Sequence, residues 1–159
     1  MPGFSQPERS LPDGTESGTP PAADCRRISC VGAVILDDAG RMLLILRGHD
    51  PGKGLWSIPG GRIEPGETDA EAVVREVSEE TSLAVTCGAM LGSVERPGGA
   101  GAVLEIRDYY AVPVSGQLAA GDDANDARWV PPAEIAALDG SGLLTPGLLP
   151  TLREWGVLS

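Results

Sequence analysis

The amino-acid sequence predicts an α/β fold, a sandwich in which a central mixed β-sheet lies between layers of helix. Three observations lead there. Two β-rich runs, ISCVGAVIL and RMLLILR, precede one strongly patterned helix, and two more, LAVTCGAMLGSVE and AVLEIRDYYAVPVSG, follow it. The early pair is almost continuously apolar, the mark of strands covered on both faces. A further helical pattern arrives late, in PPAEIAAL. Strands on both sides of a central helix, with a second helix after them, stack most simply as helix, sheet, helix.

Residues 1–24 are rich in Pro, Gly, Ser and Thr and read as a disordered arm. Residues 25–159 are expected to form one domain, and 159 residues suffice for one real core. ISCVGAVIL and RMLLILR are separated by Asp37-Asp38-Ala39-Gly40, which reads as the turn of a hairpin. GHDPGKGLWSIPGG reads as a Gly- and Pro-rich loop. Its Gly48–Gly54 portion is one residue short of a phosphate-binding P-loop, has Gly54 at the Ser/Thr position and precedes no helix, so that reading is rejected. His49, the single histidine, reads as an exposed loop residue. LAVTCGAMLGSVE and AVLEIRDYYAVPVSG, joined across Pro97–Gly101, read as an antiparallel hairpin with Tyr109 and Tyr110 on opposite faces. GDDAND at 121–126 reads as a polar loop, ARWV as a short strand, PPAEIAAL as a helix with Pro near its start, and 146–155 as a last short helix.

Charge narrows the partners. Twelve basic residues against twenty-three acidic ones give a net charge of −11, which argues against binding a nucleic acid polymer or an anionic membrane. An anionic substrate would need local cations. No apolar run approaches the roughly 20 residues of a transmembrane helix, and the start lacks the basic-then-apolar pattern of a secretory signal. Cys25, Cys30 and Cys87 are odd in number and follow no C-x-x-C pattern, so reduced thiols in a cytoplasmic protein are expected.

The most informative stretch is GRIEPGETDAEAVVREVSEETSL, residues 61–83. Thr68 is a suitable N-cap, and Glu71 three residues on gives the form of a capping box. Ala70, Val73, Val74, Val77 and Thr81 recur at helical spacing and are expected to face inward. Glu76, Glu79 and Glu80 fall on one strip of the same helix, at the rim of that stripe. Like charges one turn apart cost about 0.2–0.5 kcal/mol, and partial burial raises the cost. Arg75, flanked at i±4 by Glu71 and Glu79, offsets part of it. A hard divalent cation would offset the rest, because Mg²⁺ binds through a few carboxylates plus substrate phosphates. For a bare E-x-x-E-E, a solvated acidic face is the simpler alternative.

The whole window matches G-x5-E-x7-R-E-U-x-E-E-x-G-U, with U aliphatic, at Gly61, Glu67, Arg75, Glu76, Val77, Glu79, Glu80 and Leu83. It thereby resembles the Nudix box, the signature of the Nudix hydrolases. Ser82 stands where the family has glycine, a position that usually supplies a left-handed helix cap; serine adopts that conformation at a cost of about 1–2 kcal/mol. GLWSIPGG at 54–61 is similar to the family's approach to the box, and GDDANDARWV at 121–130 resembles a bacterial subgroup commonly assigned as ADP-ribose pyrophosphatase-like. The likeness covers about residues 27–140.

The resemblance implies a Nudix-like α/β/α sandwich and hydrolysis of a nucleoside diphosphate linked to another group, by attack of water on a pyrophosphate phosphorus. It implies Mg²⁺ as cofactor, with Mn²⁺ as the alternative, to polarise phosphoryl oxygens and activate water. Carried over position by position, the metal ligands are Glu76, Glu79, Glu80 and the carbonyl of Gly60, with Glu67 as a secondary ligand. Arg75 orients the glutamates. The general base is expected on a loop before a late strand, at Asp123 with Asp122 beside it; Glu79 or Glu80 acting through a water is the alternative, and a capped turn is the plain reading. Arg47, Arg62 and Lys53 could meet phosphates, Trp56 could stack on base or ribose, and Tyr110 or Tyr109 could reach the cleft; each also reads as an ordinary surface or core residue. The leading reaction is ADP-ribose to AMP and ribose 5-phosphate. The alternatives are a nucleoside triphosphate pyrophosphohydrolase acting on oxidised or non-standard dNTPs, and a silent nucleotide-binding module, which the full set of box carboxylates disfavours. Hydrolases of this kind are often homodimers.

Overall fold

The computed structural model describes residues 26–121 and 123–159. The expected arm, Cys25 and Asp122 lie outside the described residues. The elements are β1 (Arg27–Val34), β2 (Met42–Arg47), β3 (Trp56–Ser57), β4 (Gly60–Arg62), α1 (Asp69–Thr81), β5 (Ala84–Pro97), β6 (Val103–Ser115), β7 (Ala124–Val130), α2 (Pro132–Gly140) and α3 (Leu148–Glu154). The strands make two sheets, β4-β1-β6-β5 and β3-β2-β7. The first is mixed, with β1 parallel to β6 and the other pairs antiparallel. The second is antiparallel throughout.

Two cores explain the continuous apolar runs. Val31, Ala33 and Ile35 join Leu43 and pack under Ala72, Val73 and Val77 of α1. Val34, Met42 and Leu44 point the other way, to Ile58, Val130, Ile135 of α2 and Leu148, Leu149 and Leu152 of α3. Alternate residues of one strand thus serve opposite helical layers.

The expected β1–β2 hairpin is corrected. Its turn exists: the Gly40 N–H donates to the Asp37 carbonyl at 3.0 Å, and the Asp37 N–H to the Arg41 carbonyl at 2.9 Å. Beyond it the pairing ends at one bridge, Leu36 with Met42. The strands then part because β1 is flanked by β4 and β6, and β2 by β3 and β7. The β5–β6 hairpin is as expected, paired from Ala84 opposite Ser115 to Pro97 opposite Val103 with a first register shift after Ala84. Its register shifts between Cys87 and Met90 and again between Met90 and Gly92, which accounts for the irregular alternation of that run. β3 and β4, at two and three residues, are too short to leave a period in a Gly- and Pro-rich segment. β7 begins at Ala124, so the polar loop is shorter than GDDAND.

α1 is capped by Thr68, whose hydroxyl accepts the Glu71 N–H at 3.2 Å. Its buried face is Ala72, Val73, Val77, Glu80 and Thr81. Ala70 is exposed and Val74 is 39% exposed, against expectation. The inward face is rotated toward the carboxylates, because β4 covers that side of the helix.

Candidate active site

The Gly60–Gly61 strand passes over the carboxylate side of α1. The Gly60 N–H donates to Glu80 Oε2 at 3.3 Å. A Cβ at Gly61 would sit 2.5 Å from the Glu76 carboxyl, so glycine there leaves the carboxyl its place. The three ridge acids end in three environments. Glu80 is 6% exposed, the Glu76 side chain 12%, and the Glu79 side chain 46%. The rim position expected for all three holds for Glu76 alone. Burial, then the charge of Glu76, pushes the Glu80 carboxyl up to about 8, against the Gly60 N–H and Arg47. Burial also raises Glu76, despite its bond to Arg75.

Arg75 ties the ridge together. It donates to both Glu67 oxygens, at 2.7 and 2.8 Å, to Glu76 at 2.9 Å, to Glu79 at 3.2 Å and to the Arg62 carbonyl at 2.9 Å. The expected partner Glu71 is exposed and is replaced by Glu67, which the turn before α1 carries back along the helix. Arg75 and the Glu64 N–H hold the Glu67 carboxyl down at about 2. Glu67 therefore stands behind Arg75.

The facing wall hangs from the end of α1. Ser82 is left-handed, at φ 64° and ψ 8°. Its hydroxyl donates to the Ala119 carbonyl at 3.1 Å. The Ala119 N–H donates to the Thr81 main-chain carbonyl and the Gly121 N–H to the Glu80 main-chain carbonyl, both at 3.0 Å. A Cβ on Gly121 would run into the Glu79 carbonyl. This loop delivers Asp123, whose carbonyl accepts the Gly48 N–H at 3.2 Å. The resulting cleft is lined by Ile45, Arg47, His49, Gly60, Glu76, Glu80 and Asp123.

Of the residues singled out from the sequence, Glu76, Glu80, Gly60, Asp123 and Arg47 meet in that cleft. Glu79 is outside that lining, with its side chain 46% exposed. Arg62 is exposed and outside the lining, and Lys53 is exposed as well. Trp56 and Tyr110 pack against the α2–α3 core, and the Arg128 guanidinium stacks 4.8 Å from the Trp56 ring centre. The Tyr109 hydroxyl donates to Asp69, which also accepts two bonds from Arg107 at 2.6 and 2.9 Å. That lock fastens the start of α1 to β6. His49 joins the cleft without any periodic or motif signal to announce it.

A second pocket adjoins the first and shares Arg47 and Gly60 with it. Asp108 of β6 lines it and is 4% exposed, and its Oδ1 has no hydrogen-bond partner among the described residues. Such an orphan costs about 1–3 kcal/mol. Burial pushes its carboxyl up to about 7, opposed by Arg96.

The donor chemistry of the cleft suits a hard divalent cation. Glu76, Glu80 and Asp123 offer carboxylate oxygens, and Glu80 is buried without a full countercharge. Among the described residues no three such side chains stand as a closed cage. Mg²⁺ needs none, since it completes its shell with water and substrate phosphate. The residues present therefore fit such an ion.

A NUDIX domain profile matches residues 26–147. The chain is 41% identical over 97 residues to the ADP-ribose pyrophosphatase of Methanocaldococcus jannaschii, covering 60% of this chain and 57% of that protein, under two thirds of its length. It is 30% identical over 129 residues to the CTP pyrophosphohydrolase of Escherichia coli, covering 80% of this chain and 91% of that one. In fold it is similar to the crystal structure of a MutT protein from Methanosarcina mazei, with a TM-score of 0.73, 23% identity, and coverage of 84% and 95%.

Proposed function

The chain belongs to the Nudix family, and from that premise we propose that it is a Mg²⁺-dependent pyrophosphohydrolase of nucleoside diphosphate derivatives, ADP-ribose foremost. The observation that carries the reading is the meeting of Glu76, Glu80, Asp123 and Arg47 in one cleft. Mg²⁺, or Mn²⁺ in its stead, would be held by Glu76, Glu80 and the Gly60 carbonyl, with Glu79 reaching in from the exposed end of the ridge, and would supply electrophilic polarisation of the phosphoryl oxygens. Arg47 binds a phosphate oxygen and steadies the charge that grows on the leaving phosphate. Asp123, facing Glu80 across the cleft, takes the proton of the attacking water. Arg75 keeps Glu76 and Glu79 aimed through bonds that leave it outside the reaction. The ADP-ribose assignment draws on the 41% identity to the archaeal ADP-ribose pyrophosphatase and on the run GDDANDARWV.

A second reading, nucleoside triphosphate pyrophosphohydrolase, is favoured by the match across 91% of the CTP pyrophosphohydrolase. A silent binding module has less support, because each box carboxylate is in place. Among the described residues no helix is long and apolar enough to cross a membrane. A cytoplasmic location, a homodimer and a domain spanning 25–159 complete the proposal.

The test is a panel of ADP-ribose, other nucleotide sugars, dinucleotides, CTP and oxidised dNTPs with Mg²⁺, read by HPLC. ADP-ribose is expected to yield AMP and ribose 5-phosphate fastest, and Glu80→Gln to lose about 100-fold or more in kcat. Faster conversion of a triphosphate to its monophosphate would move the assignment to the second reading.

A further inference from the structure

We propose that His49 is a second phosphate-binding residue of the cleft, its imidazole N–H donating to an oxygen of the phosphate nearer the mouth while Arg47 holds the inner one. The inference rests on the pyrophosphohydrolase reading and adds to it the group that grips the outer phosphate.

Charge is the first argument. The cleft sets Glu76, Glu80 and Asp123 against one guanidinium, Arg47, in a chain of net charge −11. A diphosphate brings still more negative charge. Arg47 is also partly engaged, since its Nε donates to the Pro51 carbonyl at 2.6 Å and its charge opposes that of Glu80. The Gly60 N–H is turned to Glu80. Among the described residues that line the cleft, His49 is the one other side chain with an N–H to give.

The backbone fixes where that side chain stands. Exposure alone would make His49 an ordinary loop histidine. The loop that carries it is closed at its neck, where the Arg47 N–H donates to the Leu55 carbonyl and the Gly54 N–H to the Arg47 carbonyl, both at 2.9 Å. One side of the neck is fastened to the facing wall through the Gly48 N–H and the Asp123 carbonyl. A Cβ at Gly48 would come within 3.0 Å of that carbonyl and 3.1 Å of Asn125 Oδ1, so the loop lies close against the wall. His49 follows directly, at the mouth of the cleft, two residues along from Arg47.

Imidazole suits the position. It keeps an N–H donor whether neutral or protonated, and when protonated it adds attraction for an anion. The grip on the outer phosphate is made before the bridge breaks and persists while it breaks. Such an interaction lowers KM and leaves kcat nearly unchanged. A ligand with one phosphate reaches Arg47 and gains little from His49.

The experiment measures binding without turnover. Full-length protein with Mg²⁺ is titrated calorimetrically with the methylene analogue of ADP, whose P–C–P bridge water cannot cut, and with AMP and adenosine. His49→Ala should weaken the analogue roughly tenfold or more, and AMP and adenosine by less than about threefold. The same variant should raise KM for the preferred diphosphate substrate by a similar factor and keep kcat within about threefold. The amides of His49→Gln and His49→Asn reach about as far as Nε2 and Nδ1, and one of them should restore most of the loss. Unchanged affinity for the analogue, an equal loss for adenosine, or failure of both amides to rescue would overturn the proposal. Should the variants melt early, crystals of the wild-type protein soaked with the analogue and Mg²⁺ decide. A phosphate oxygen within about 3.2 Å of an imidazole nitrogen is expected, and an imidazole turned away from both phosphates would overturn the assignment. Weakened analogue binding in His49→Ala, with no cleavage of any nucleotide by the wild type, would sink the hydrolase reading and leave the grip standing. Cleavage by His49→Ala at the wild-type KM would sink the grip alone.

Discussion

At the scale of the residue, Arg75 carries the most structure for one side chain. Its fork grips both oxygens of Glu67 while a remaining amine reaches Glu76 and Glu79. A lysine has the charge without the fork. Arg75→Lys is therefore expected to lower kcat by about tenfold or more and to destabilise the fold by about 1–3 kcal/mol, read from turnover and urea unfolding. Glu80 makes a different prediction. Its folded carboxyl titrates at about 8 against an ordinary 4.5, so the native state keeps a proton the unfolded chain has lost. Stability from this group is whole below about pH 4.5 and falls as pH climbs through 8. Asp108, at about 7, acts in the same sense. Glu67 and Asp69, each near 2, act in reverse: what they contribute is present above about pH 4 and is lost as pH drops toward 2. Thermal melts in chelator should thus peak near pH 4–5 and lose on the order of 2–5 kcal/mol by pH 8. Glu80→Gln should flatten the upper limb, and added Mg²⁺ should restore stability at pH 8. A flat profile in wild-type protein would contradict the buried, unneutralised carboxyl.

At the scale of the element, the end of α1 shows how a departure from a motif is absorbed. Serine at the left-handed cap carries strain that glycine would not, about 1–2 kcal/mol. In return the Ser82 hydroxyl holds the Ala119 carbonyl, and with it the loop that presents Asp123. Ser82→Ala keeps the strain and loses the bond, so it should destabilise by about 0.5–1.5 kcal/mol in denaturant titration. Ser82→Gly loses both and should come out near neutral in stability. If loop placement matters to Asp123, both variants should lower kcat more than they raise KM. The first strand pair makes a related point. The turn at Asp37–Gly40 is local chemistry and forms as read, but which strands flank β1 and β2 depends on distant partners, such as Gly60 opposite Gly32, Val103 opposite Arg27 and Val130 opposite Met42.

At the scale of the whole molecule, α1 closes one side of the strands, α2 and α3 the other, and the two pockets open where β4, β2 and β6 come together. The described strands begin at Arg27, and the Arg26 carbonyl already accepts the Val103 N–H at 2.9 Å. A chain starting at residue 25 is expected to unfold in one transition, with Tm within about 3 °C of the full chain and unchanged turnover. A large loss of either would show that the preceding segment belongs to the folded unit.

Local chemistry in the sequence determined the helix with its Thr68 cap and the ridge of glutamates, which follow from spacing and neighbours within a few residues. The β5–β6 hairpin was legible from two β-rich runs on either side of a Gly-rich turn, and the left-handed end at Ser82 from the glycine that the resembled family has there. The box spacing likewise pointed to the family from a single window. Tertiary structure alone decided that Glu80 goes inside while Glu79 stays in water, since that depends on β4 lying over one side of α1. It also decided that Arg75 pairs with Glu67 and not Glu71, that Trp56 and Tyr110 turn to the core, and that His49 comes to the cleft. Asp108 gave no sign in the sequence, where it is one polar residue in an alternating strand. Its burial is a product of Gly32 in a neighbouring strand, and contacts between distant strands leave no mark in the local pattern of either.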